Sequence, residues 1–150
     1  MNQSLEVLTN SGEDIRKRIF SLDLGPIKYK LMEKDGENWS REKVEDVEEK
    51  YKRFLFLSTV NGPAKVVPTK DIDTFWHNHI LDTRKYADDC EKTFGYFLHH
   101  FPYLGMRGED DAKLLRTLFD DTKSLYQKMF GEAYGNNSAD CEDCGNCPSS

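Results

Sequence analysis

Apolar residues along this 150-residue chain recur in short helical stripes, separated by polar and glycine-containing breaks. In "NWSREKVEDVEEKYKRFLFLSTVNG", Val44, Val47, Tyr51, Leu55 and Phe56 follow the period of an amphipathic helix. Ser40 stands where an N-cap belongs, and Trp39 and Val44 take the N′ and N4 positions of a hydrophobic staple. Asn61-Gly62-Pro63 stops that helix. "EDDAKLLRTLFDDTKSLYQKMFG" predicts a second strong helix, with acids at its start, Lys128 near its end and Gly131 as terminator. Its predicted buried stripe is Leu114, Leu115, Leu118, Phe119, Leu125 and Met129. Shorter helices are expected in "DLGPIKYKLM", in "KDIDTFWHNHIL" capped by Thr69, and in "TRKYADDCEKTF" capped by Asp82 and ended by Gly95. "EKDGEN" reads as a loop, and "AKVVP" as an extended approach to the following helix. "YFLHHFPYLGMRG" is aromatic and broken by Pro102, Gly105 and Gly108. No internal repeat is visible, and nothing supports a parallel sheet. The pattern predicts an all-α domain, a compact bundle of about four or five helices over residues 22–131. Residues 1–21 form an N-terminal extension, and 132–150 are expected to be a flexible, disordered acidic tail carrying cysteines.

Composition narrows the function classes. The length fits one domain, and nine Phe, seven Tyr and two Trp supply much of the area such a core can bury. The net charge is -6, and the basic clusters at 15–18 and 49–53 are short and sit among acids. Neutralising phosphates takes a basic surface, so this balance argues against a nucleic-acid partner. No apolar run approaches the roughly 20 residues that span a bilayer, which argues against a membrane partner. The N-terminus mixes charges where a signal peptide would be apolar, so a cytoplasmic location is expected.

The candidate chemistry is concentrated in "DIDTFWHNHILDTRKYADDC" and the segment after it, because all four histidines fall between His77 and His100. On a helix turning roughly 100° per residue, Ile72, Phe75, Trp76 and His79 share one face. His77 then points elsewhere, since residues two apart do not face each other. A helical H-x-H therefore cannot clamp one ion in the manner of an i,i+4 pair. Asp73 and His77 are such a pair, so a carboxylate and an imidazole meet on one flank. His99 or His100 in "LHHFP" can be carried back over this helix, and Tyr86 and Cys90 are four apart on the next. The alternative is structural: a histidine on an apolar face and a lone cysteine are commonly hydrogen-bonded or packed core residues. No H-E-x-x-H, G-x-S-x-G or phosphate-cradling glycine loop is present.

The run "DIDTFWHNHILDTRKYADDC…FGYFLHHFPYLG" resembles the signature of the plant and bacterial glycine-rich domain-containing protein family, over roughly residues 24–131. The resemblance implies that Asp73, Trp76, His77, His79, Tyr86, Cys90, His100 and Pro102 occupy signature positions. It carries over no agreed chemistry. Plant members have been linked to RNA-related and stress roles through added regions. This chain has ten glycines, no glycine-rich segment and no RNA-binding module, which puts an RNA role in doubt.

"CEDCGNCP" places Cys141, Cys144 and Cys147 in a C-x2-C-x2-C-P run, part of a ferredoxin-like pattern without its fourth cysteine. Three thiolates so spaced can wrap a soft ion. The tail equally suits a substrate, with the helical domain as a leader-like recognition element for a modifying enzyme. Three readings follow. The first is a transition-metal site (Zn, Cu or Fe) built from Asp73, His77, His79, Cys90 and His100, with the tail thiols as further ligands. The second is a binding module, either a leader for tail modification or a protein-interaction domain with a structural histidine cluster. The third is an enzyme using Asp73–His77 as an acid–base pair with Cys90 as nucleophile; it ranks last because nothing demonstrates a pocket.

Overall fold

In a computed structural model that describes residues 13–135, the chain is all-α, with no strand among the described residues. A first helix, α1, runs through 13–20. It is followed by α2 (Gly25–Met32), α3 (Arg41–Asn61), α4 (Lys70–Leu81), α5 (Thr83–Thr93) and α6 (Glu109–Phe130). No helix among the described residues is long and apolar enough to cross a membrane. The local reasons are those visible in the chain. Ser40 Oγ accepts the Lys43 amide at 3.0 Å and caps α3. Gly131 takes φ 72° and donates its amide to Gln127 O, closing α6 with the left-handed turn that glycine tolerates.

The chain divides into two compact units, with boundaries inside α3, inside α4 and between Leu98 and His99 after α5. Among the described residues, the first holds 13–56 together with Phe75–Leu98. Ile19, Leu24, Leu31, Val44, Tyr51 and Phe54 are fully buried in its core. Two aromatic pairs tie α3 to α4 there, Tyr51–Phe75 with ring centroids 4.9 Å apart and Phe54–Trp76 at 5.0 Å. Each such buried ring contributes on the order of 2 kcal/mol through burial alone. The region expected as an N-terminal extension is thus partly a packed helix: Lys52 Nζ donates to Phe20 O and Arg18 Nε to Thr93 O, each at 3.2 Å. The α3 stripe also shifts. Phe54 and Leu57 are buried, whereas Phe56 is half-exposed with the Arg16 guanidinium over its ring.

Among the described residues, the second unit holds Leu57–Thr74 and 99–135. After a 3-10 turn at Pro63–Lys65, Val66 is extended, and Val67 satisfies both its backbone groups through side chains. Its amide donates to Thr122 Oγ1 at 3.1 Å, and its carbonyl accepts the Tyr134 hydroxyl at 2.6 Å. Tyr134, assigned to the tail on sequence grounds, is buried and packs on Tyr126 with centroids 4.8 Å apart. The expected α6 stripe is corrected in two places: Leu114 and Met129 are exposed, and Thr122 and Tyr126 are the buried positions. Ahead of α6, Asp111 accepts the Gly105 and Arg107 amides at 2.7 and 3.2 Å and pairs with the Arg107 guanidinium, closing the loop from His99 to Gly108.

Candidate functional site

Helix α4 carries three of the candidate residues, Asp73, His77 and His79, and its phase decides which side chain goes where. Thr69 Oγ1 accepts the Ile72 amide at 3.2 Å and starts the helix. From that register Ile72, Phe75, Trp76 and His79 face the core, all 5 % exposed or less. His77 is exposed, and Asp73, one turn before it, lies on the same flank.

The inward side chains form a closed polar network within the first unit. His79 Nδ1 lies 2.8 Å from the Tyr51 hydroxyl, and Nε2 lies 2.8 Å from Asp89 Oδ2. Burial pushes the His79 proton affinity down, with the Asp89 hydrogen bond opposing that shift. The neutral imidazole fits every contact: Nε2–H donates to the Asp89 carboxylate and Nδ1 accepts the Tyr51 O–H. Lys85 Nζ, 3.2 Å from Asp89 Oδ2, supplies the counter-charge. Burial holds the Tyr51 hydroxyl well above the ordinary phenol range. Beside it, Trp76 Nε1 donates to the Tyr86 hydroxyl at 2.9 Å, and that hydroxyl donates to Leu98 O. Cys90 Sγ accepts the Leu98 amide at 3.5 Å, and burial raises its thiol pKa. A protonated, buried sulfur is a poor nucleophile.

The outward side chains do the opposite. His100 Nε2 sits 2.7 Å from Asp73 Oδ1 in the second unit, and α4 itself places His77 one turn from Asp73. One ligand atom from each of Asp73, His77 and His100 lies within 4.8 Å of the others. Metal bonds of about 2.0–2.1 Å put neighbouring ligand atoms roughly 2.9 Å apart on an octahedral ion and roughly 3.3 Å apart on a tetrahedral one. The Asp73–His100 pair is already close to such an edge.

Of the five core residues singled out as metal ligands, the structure brings together Asp73, His77 and His100. His79 and Cys90 are not in that group, because each is engaged in the buried network by other partners. Cys141, Cys144 and Cys147 lie outside the described residues. Sequence reasoning did not single out Tyr51 or Asp89 as the partners of His79. Tyr51 lies 28 residues upstream, and it carries no sign there beyond its place in the apolar stripe of α3.

A model of the UCP032817-like family matches residues 15–122. The chain is also similar to two curated proteins of Arabidopsis thaliana. It is 36% identical over 89 residues to glycine-rich domain-containing protein 1, and 35% identical over the same length to glycine-rich domain-containing protein 2. In both cases the match covers 57% of this chain and 11% of the relative, so the chain spans about a tenth of the relatives' length. No solved structure matches it.

Proposed function

The chain belongs to the UCP032817-like family, and we propose that its helical domain binds a transition-metal ion through Asp73, His77 and His100. The observation that carries this reading is the convergence of two imidazoles and one carboxylate within 4.8 Å on the outward flank of α4. Two imidazoles and a carboxylate suit zinc, copper or iron. The buried network next to it takes His79 and Cys90 out of competition and holds α4 in the register that turns His77 outward.

The test uses the full chain and a variant with Cys141→Ser, Cys144→Ser and Cys147→Ser, which removes thiolate ligands of the tail. Titration with Co(II), followed by visible absorption and metal analysis, is expected to show one equivalent bound in the tail-serine variant without sulfur-to-cobalt charge transfer. His77→Ala and His100→Ala on that background are each expected to weaken binding tenfold or more, on the order of 1.4 kcal/mol. Absence of cobalt from the tail-serine variant, or unchanged affinity in His100→Ala, overturns the reading.

A further inference from the structure

Three protein ligands do not complete a first-row metal ion. Asp73 and His77 come from one flank of α4, and His100 from the segment that folds onto Asp73. His77 is exposed, and the Asp73 and His100 side chains are 36% and 14% exposed, so solvent reaches the flank of α4 that carries Asp73 and His77. Two neutral imidazoles and one carboxylate leave a divalent ion with a net charge of about +1. Sites with three protein ligands keep positions for water or substrate, and two histidines with one carboxylate are the arrangement that leaves adjacent positions open.

We propose that the metal-loaded site takes an exogenous O,O-chelating anion: a small carboxylate with a second oxygen donor on the neighbouring carbon. This rests on the metal reading above. The carboxylate neutralises the residual charge, and the second oxygen fills the adjacent open position. Coordination is by displacement of two waters, with no bond made or broken within the anion.

Lactate and propionate separate chelation from simple charge pairing, because both are three-carbon monoanions and only lactate carries the second oxygen. Each is titrated into the cobalt-loaded tail-serine variant at constant ionic strength, with the visible bands of cobalt as the readout and metal analysis after desalting to confirm that cobalt stays bound. A saturable spectral change with lactate at least tenfold tighter than with propionate is the expected result. Equal affinities, an invariant spectrum with cobalt retained, or release of cobalt by lactate each overturn the proposal while leaving the metal reading intact. Failure of cobalt to bind before any anion is added removes both.

Discussion

His77 and His79 sit two residues apart on one helix and live in opposite chemistries. His79 is 2% exposed, with both ring nitrogens engaged by Tyr51 and Asp89. His77 is exposed, one turn from a carboxylate that already holds the His100 ring. The side chain is the same and the backbone is the same helix; only the phase differs. A rotation of roughly 200° separates a buried imidazole with both ring nitrogens engaged from an exposed one. The inner site gains rigidity from low dielectric and from hydrogen bonds at both His79 nitrogens, whereas Asp73 and His100 are half-buried and His77 is exposed.

The sharpest way to break this comparison is to remove each imidazole and read stability. His79→Leu keeps the bulk but leaves the Tyr51 hydroxyl and the Asp89 carboxylate without their shared partner. The expected loss is about 3 kcal/mol, seen as a lower urea midpoint. His77→Ala is expected to stay within about 0.5 kcal/mol of the parent in metal-free buffer. Equal losses from the two substitutions would show that the outer flank is structural too. The metal-affinity losses predicted for His77→Ala and His100→Ala, tenfold or more, come next in size and belong to the outer site alone. His79→Leu is expected to leave affinity unchanged once its lower stability is allowed for.

A smaller effect sharpens the inner half. Burial raises Tyr51, Tyr86 and Cys90 above their ordinary values. The unfolded chain releases these protons first as pH rises, so their contribution to stability is whole below about pH 9 and shrinks above it. The urea midpoint is therefore expected to fall from pH 9 upward and more steeply past pH 10, where the tyrosines of the unfolded chain ionise. Cys90→Ala is expected to flatten the part of the fall that begins near 9.0, the ordinary thiol value. A midpoint flat through pH 11 would contradict a desolvated network.

Much of this was legible from spacing. The face of α4 that buries Ile72, Phe75, Trp76 and His79 follows from helical period, as do the Ser40 and Thr69 caps and the Gly131 stop. The pairing of Asp73 with His77 on one flank follows the same way. Other features depend on partners that periodicity does not see. Thr122 is buried with its hydroxyl accepting the amide of Val67, 55 residues away, and donating a hydrogen bond to Leu118 O. A polar residue in that place looks like surface until its partner is known. Leu114 shows the converse: it continues an apolar run, yet 46% of it stays exposed. Between His99 and His100 the chain offers no periodic signal at all, because that segment is neither helix nor strand.

That last pair gives the finest discrimination. His99 and His100 are adjacent and chemically identical, and a general attraction of ions to a histidine-rich surface would use both. The structure separates them. His100 is half-buried with Nε2 at 2.7 Å from Asp73, while His99 is exposed and outside the group of converging ligand atoms. Coordination through the assigned atoms therefore predicts that His99→Ala changes cobalt affinity by less than about twofold, well under 1 kcal/mol. The neighbouring His100→Ala loses at least about five times more. Matching losses at the two positions, measured in the same cobalt titration on the tail-serine background, would mean that ions collect on the segment rather than bind at Asp73. The distinction between an inner structural histidine and an outer ligating one would then reduce to burial alone.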